Sequence, residues 1–214
     1  MKGYLLVLDG IDGCGKTSQI NHLSNWLPRS GLMPKGAKLH VTKEPGGTHL
    51  GTALRQLLLN TSNESAPEST TELLLYAADR AQHISQVIRP ALEKGDWILS
   101  DRFSGSTIAY QGYGRKLNID IIETLEAIAT QGVSADITLW LKVGIEESLR
   151  RRKATNNDRI EAEGKDFLEK VSLGFEALAE QRNWITICAN QEAPLVSQHI
   201  ENALKNYFEN LLVI

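Results

Sequence analysis

Apolar residues fall along this chain in two alternating rhythms. Five short dense runs, Tyr4–Leu8, Leu39–Thr42, Trp97–Ser100, Ile137–Val143 and Trp184–Cys188, are rich in β-branched or aromatic residues. Runs of that length and density read as strands buried on both faces. Between them, apolar positions recur with a helical period over Lys16–Leu27, Gly51–Leu59, Thr70–Leu92, Asp120–Thr130, Ile145–Arg152, Asp166–Gln181 and Pro194–Phe208. Strand and helix in alternation predict an α/β fold, with a parallel sheet covered by helices on both faces. Two stretches break the rhythm. Asn60–Glu68 is polar and contains Pro67; after it, Ser69 and Glu72 have the spacing of a capping box for the next helix. Arg151–Gly164 is dense in charge and poor in large apolar residues, as a solvated loop or a mobile cover would be. With no internal repeat and no linker, the 214 residues are expected to form one domain, since single cores grow to about 250 residues before they divide.

Composition narrows the functional classes. A net charge of −3 argues against a bulk nucleic-acid binder but leaves room for a local cationic pocket. No stretch approaches the ~18 apolar residues of a membrane span, and the N-terminal run is too short for a signal peptide. Cys14 and Cys188 lie far apart without metal-site spacing, as expected of a reduced, cytoplasmic protein. Cys14 is expected to fill a small-residue slot and Cys188 to be buried at a strand end. The histidines show no paired metal spacing and are read as surface or packing residues, and the four tryptophans as core or interface.

The first strand runs directly into Gly10-Ile11-Asp12-Gly13-Cys14-Gly15-Lys16-Thr17, followed by Ser18 and a helical pattern. This is the G-x4-G-K-[ST] phosphate loop in the strand–turn–helix setting that gives it meaning. Its glycines let successive N–H groups point into one concavity, and the helix start adds its positive dipole end. Lys16 is expected to reach the β- and γ-phosphates of ATP, and the Thr17 hydroxyl to sit on Mg²⁺. The G-x-G-x-x-G spacing of a dinucleotide site is not met. The third strand ends in Ser100-Asp101-Arg102-Phe103. An acid there faces the crevice where open α/β sheets bind ligands, so Asp101 can hold the Mg²⁺ shell and Arg102 can bridge phosphates. An Asp–Arg pair alone would equally make a strand-end salt bridge. Tyr76 and Arg80 are four apart on a predicted helix and share a face; alone they would also fit a core tyrosine beside a solvated arginine.

The blocks LDGIDGCGKTSQ (8–19), TKEPGGT (42–48), LRQLLL (54–59), LLLYAADRAQH (73–83), SDRFSGSTIAYQGYGR (100–115) and DRIEAEGKDF (158–167) together resemble bacterial thymidylate kinases in order and spacing. The resemblance implies a P-loop NTPase fold of the nucleoside-monophosphate kinase type, with a five-stranded parallel sheet, a lid over about 151–164 and a homodimer. It implies ATP and dTMP as substrates, Mg²⁺ as cofactor, and no nucleic-acid or membrane partner. Tyr76 would stack on thymine and Arg80 would donate to a base carbonyl. Gln111 would lie near the base, Tyr110 against the sugar 2′ position, and Ser106 and Thr107 along the same pocket. Arg55, Arg102 and Lys43 would converge on the dTMP phosphate, although many relatives carry arginine where Lys43 stands. Asp12 would contact the 3′-hydroxyl or the metal's water, and Glu44-Pro45 resembles a segment in which the proline is often cis. One arrangement in the family places a basic residue directly after the acid that Asp12 matches. The other has glycine there and a lid arginine. Gly13 puts this chain in the second group, with Arg159 expected as the catalytic arginine and Arg151 and Arg152 as alternatives.

Two rival readings differ in testable features. A kinase for another acceptor would lack the Tyr76, Arg80 and Gln111 set. A P-loop switch would be expected to carry the guanine-reading N-K-x-D, and the segment around Gly164-Lys165-Asp166 lacks its asparagine.

Overall fold

The computed structural model describes residues 3–59, 66–152, 159–160 and 163–211. Most of the lid segment, 153–158 with 161–162, lies outside the described residues, as does 60–65 in the polar stretch before the third long helix.

Five strands, β1 (Leu5–Asp9), β2 (Leu39–Lys43), β3 (Trp97–Asp101), β4 (Ile137–Lys142) and β5 (Ile185–Cys188), form one sheet in the order β2-β3-β1-β4-β5, and every pair is parallel. The central strand explains itself. Leu5, Leu6, Val7 and Leu8 are all fully buried, because helices cover both sheet faces. Each such side chain contributes about 1.5–3 kcal/mol of burial. β2 departs from expectation. It is an edge strand, and Val41 remains 48% exposed, so its apolar run marks half-burial and not a core position.

The covering helices are α1 (Lys16–Trp26), α2 (His49–Leu59), α3 (Ser69–His83), α4 (Arg89–Glu93), α5 (Ser104–Thr107), α6 (Ile119–Thr130), α7 (Ile145–Arg152), α8 (Lys165–Gln181) and α9 (Ala193–Leu211). The single helix expected over Thr70–Leu92 is interrupted by a π-helical turn at Ile84–Ile88. Pro90 follows at the start of α4. Having no N–H, proline cannot continue a regular ladder, and the widened turn absorbs the fault. A second π-helical stretch, Ile108–Gly114, extends α5 and carries Tyr110 and Gln111 into the crevice. Such turns recur at functional sites. The capping box does not form. Glu68 is the N-cap without a side-chain bond, and the Glu72 carboxylate turns inward to a set of buried donors. Cys188 is exposed and not buried. No helix among the described residues is long and apolar enough to cross a membrane.

The strand order makes the functional edge. β1 pairs with β3 on one side and β4 on the other, so chain connections diverge above its carboxyl end. Ligands of open α/β sheets bind at that switch point. Leu8 is in register with Asp101, and Lys43 with Asp101, which brings Asp9, Asp101 and Lys43 to one rim.

Candidate active site

The phosphate loop is preformed. Gly10, Gly13 and Gly15 all have positive φ, and Gly15 caps α1 in a left-handed conformation, leaving the helix's first N–H groups open. Glycine is required at 13 for a second reason. A Cβ there would lie 2.6 Å from the Ser148 carbonyl oxygen on α7. Helix α7 buttresses the loop further through the Ser148 hydroxyl, which donates to the Asp12 carbonyl at 2.6 Å. The Lys16 ammonium lies inside the loop, donating to the carbonyls of Gly10 (2.9 Å) and Ile11 (3.1 Å). Cys14 is buried beside it, and burial raises its thiol pKa, so it fills space and is no nucleophile.

Arg102 organises the crevice. Its φ of 72° is a strained value for a non-glycine residue, costing about 1–3 kcal/mol. The backbone is pinned there by its N–H on the Leu8 carbonyl (2.9 Å) and by the Ser100 hydroxyl on its own carbonyl (2.7 Å). Its guanidinium donates to the Gly10 carbonyl (3.0 Å), the Ser106 hydroxyl (2.8 Å), the Tyr110 hydroxyl oxygen (3.1 Å) and the Asp12 carboxylate, and stands 4.9 Å above the Tyr110 ring. Tyr110 donates to the second Asp12 oxygen at 2.7 Å. Burial opposes ionisation of Asp12, but Arg102 and then Lys16 hold its pKa below the usual carboxylate value. Asp9 goes the other way. Burial raises its pKa against the pull of Arg102, and it accepts from Ser106 at 2.6 Å. Sequence reasoning drew nothing from Asp9, whose role lies in contacts 97 positions away.

One pocket beside the loop is lined by Asp12, Arg55, Tyr76, Arg80, Arg102, Ser106, Thr107, Tyr110 and Gln111 together. The fold therefore assembles the acceptor residues read from the sequence, with the exception of Lys43. Lys43 is exposed at the end of β2 but stands close: its Cε and the Arg55 Cδ lie within 3.5 Å of the space above Gly46. Arg55 donates to the Pro45 carbonyl at 3.0 Å, and the Glu44–Pro45 bond is cis. Glu44, Pro45, Leu59, Phe103 and Ile160 complete the lining.

A second pocket flanks the loop on its other side, between Cys14, Gly15 and Ser18, the α7 residues Glu147, Arg150 and Arg151, and the segment Asn190–Ala193. Of the residues outside the loop, the sequence singles out only Arg151, as an alternative lid arginine. For Asn190–Ala193 the only signal is position, because the segment follows the carboxyl end of β5, on the same rim as the loop.

The three lid arginines part company. Arg159 donates to the Leu58 carbonyl (3.0 Å) and to the Glu72 carboxylate, at the far end of the acceptor pocket. Glu72 is fully buried and also accepts from Gln111 (2.8 Å) and Arg115 (3.3 Å). A buried carboxylate needs such partners, and it draws Arg159 away from the phosphate loop. Arg151 instead reaches the Gly13 carbonyl (3.5 Å) and the Ala189 carbonyl (2.9 Å), with Glu147 bracing it at 2.7 Å. Arg152 is buried against Gly13.

For Mg²⁺, the oxygen donors present suit a hard cation. One Asp101 carboxylate oxygen is buried without a hydrogen-bond partner among the described residues, and the Thr17 hydroxyl lies exposed at the loop's end. Among the described residues no group of three acids, histidines or cysteines could cage a metal alone.

Comparison with known proteins adds an independent line. The family model described as thymidylate kinase matches residues 8–200. A thymidylate kinase of Prochlorococcus marinus (strain MIT 9303) is 62% identical over 208 residues, covering 97% of this chain and 96% of that one. One from Synechococcus sp. (strain CC9605) is 59% identical over 207 residues, covering 97% and 99%. One from Prochlorococcus marinus (strain NATL2A) is 57% identical over 210 residues, covering 98% and 100%.

Proposed function

The chain belongs to the thymidylate kinase family and phosphorylates dTMP from ATP, and we propose the following division of labour for its two pockets. ATP lies with its phosphates in the Gly10–Thr17 loop and its nucleoside toward Asn190–Ala193. dTMP lies across Arg102, with its base between Tyr76 and Arg80 and its phosphate toward Arg55, Lys43 and Arg102. The observation that carries this is that the two pockets flank one phosphate loop, the first lined by Asp12 with Arg102 and the second by Cys14, Gly15 and Ser18. A phosphate oxygen of dTMP then faces the γ-phosphorus in line, and no covalent intermediate is needed. Thr17 and Asp101 are the residues that would hold Mg²⁺, which when bound neutralises charge on the transferring phosphoryl group. Lys16 and Arg102 supply fixed positive charge, and Arg102's four protein contacts keep it oriented before substrate arrives.

The acceptor side is tested by a panel. kcat/KM is expected to be highest for dTMP, with dUMP next, and dCMP, AMP and UMP far below. Tyr110 fills the site of a 2′-hydroxyl in this reading, so ribothymidine monophosphate should fall below dTMP. A purine or cytosine nucleotide as best substrate overturns the assignment.

We also propose a homodimer. Leu57 on α2, Leu74 on α3 and Ile121 and Ile128 on α6 are more than half exposed, on helices that pack side by side. Clusters of exposed apolar side chains mark interaction faces. Sedimentation at micromolar concentration should give a dimer, and Ile128→Asp, at a position 68% exposed, should shift it to monomer. A monomeric wild-type protein removes the proposal.

A further inference from the structure

Arg80 is 2% exposed, an unusual place for a guanidinium, and its contacts leave little of it free. Nε donates to Glu44 at 2.7 Å. Nη1 donates to the Thr107 hydroxyl at 2.9 Å and to Glu126, which reaches across from α6. The guanidinium carbon stands 5.6 Å from the centre of the Phe103 ring. Glu44 is itself tied down: its other oxygen pairs with His83 Nδ1 at 2.8 Å, and His83 Nε2 with the Thr42 hydroxyl at 2.7 Å. Burial works against the charge on Arg80, yet Glu126 and then Glu44 hold its pKa above the ordinary arginine value. Two of the three guanidinium nitrogens are therefore occupied, and Nη2 is the edge left toward the pocket among the described residues.

From this geometry we infer that Glu126 is a positioning residue for base selection. The inference rests on the reading of Arg80 as the group that meets the base. An arginine fork is planar, and its direction is fixed only when more than one nitrogen is held. Glu44 alone holds Nε and leaves the fork free to pivot about that one hydrogen bond. Glu126, with Thr107, stops that rotation at Nη1. The edge then presents N–H donors and no acceptor. A pyrimidine with a carbonyl at C4 completes it, whereas the C4 amino group of cytosine sets donor against donor. A site that must leave a buried donor unpaired rejects the wrong ligand strongly. Glu126 touches no substrate in this account and acts through Arg80.

The test separates this role from a merely structural one. In E126A the KM for dTMP is expected to rise on the order of tenfold, the scale of losing a hydrogen bond to a charged group. kcat and the KM for ATP should stay within about threefold, since uniform binding and not transition-state stabilisation is lost. The preference for dTMP over dCMP should fall. E126Q keeps an acceptor oxygen at Nη1 and should recover most of the KM and part of the preference. If E126A does not fold, E126Q decides: a KM and a preference both at wild-type values overturn the inference. So does a folded E126A whose dTMP KM is unchanged, or whose ATP KM rises equally. The wild-type panel keeps the two readings apart. A wild-type enzyme that prefers dCMP overturns the acceptor assignment and this inference together. One that prefers dTMP, with E126A unaltered, overturns the role of Glu126 alone.

Discussion

Lys16→Ala is expected to lower kcat by about 10²–10³-fold in a protein that still folds, the scale of removing one preorganised charge from a transition state. The ammonium has two jobs in the structure, and only one of them is catalytic. It bonds two loop carbonyls, Gly10 and Ile11, and lies 3.8 Å from Asp12. Those loop contacts are replaceable, because three glycines with positive φ and the buttress from Ser148 set the loop's shape independently. The charge is not replaceable. No other cation lies on the loop itself, and Arg102 is already committed to Asp12, Ser106 and the Gly10 carbonyl. Steady-state turnover with ADP detection, alongside circular dichroism and thermal melting, reads the outcome. A folded Lys16→Ala enzyme with near-normal turnover would contradict the use of this loop as the phosphate cradle. The same substitution removes one of the two cations that keep Asp12 ionised, so the variant's activity should also fall off at a higher pH than wild type on acidification. The sign follows from the depressed pKa: the ionised form is favoured above it and lost as pH falls through it.

What the sequence made legible was local. The loop motif, the strand ends and the i,i+4 pair Tyr76–Arg80 are all fixed by spacing within a few residues, and Asp12, Arg102, Tyr76 and Arg80 from them line one pocket. What it hid was carried by long-range carboxylates. Glu44, Glu72 and Glu126 sit 36, 87 and 46 positions from the arginines they hold. A lone glutamate on a helix, as at Glu72 or Glu126, reads as solvated surface, and Glu72 even had the spacing of a cap. Only tertiary packing shows that its charge is buried. The pocket wall at Asn190–Ala193 was hidden for a different reason: it has no motif, and its place comes from the parallel strands that set the carboxyl end of β5 on the same rim as that of β1. Edge position likewise separated β2 from the buried strands, since an apolar run says nothing about which neighbour a strand lacks.

The second large effect concerns the arginine that completes charge neutralisation, an interaction that can be worth about 10³-fold or more in rate. Gly13 removes one source. A side chain there would strike the Ser148 carbonyl at 2.6 Å and the Arg152 Cγ at 3.2 Å, so α7 occupies the space that a basic loop residue would need. The cation must then come from α7 or the lid. Arg159, the residue favoured by motif, would have to leave Glu72 and the Leu58 carbonyl to reach the loop. Stripping a partner from a buried ion pair costs about 3–5 kcal/mol, softened here because Arg115 stays on Glu72. Arg151 needs no such exchange. Its guanidinium already touches the Gly13 carbonyl, its Nη1 lies 4.0 Å from the Cβ position of Gly15, and its Glu147 partner is not deeply buried. We therefore propose Arg151 as the neutralising arginine. Arg151→Ala should lower kcat by about 10³-fold while the dissociation constants of ATP and dTMP move only a few-fold, as expected for a contact that strengthens in the transition state. Arg159→Ala should instead loosen the wall that Ile160 and Leu59 make around the acceptor, raising the KM for dTMP with kcat within a few-fold. Two results would reverse the assignment. If Arg151→Ala weakens ATP binding alone, the residue belongs to the proposed nucleoside wall, which it also touches at the Gln191 carbonyl (3.5 Å). If Arg159→Ala abolishes kcat with both dissociation constants intact, Arg159 does exchange Glu72 for the phosphoryl group, and the motif pointed to the right residue.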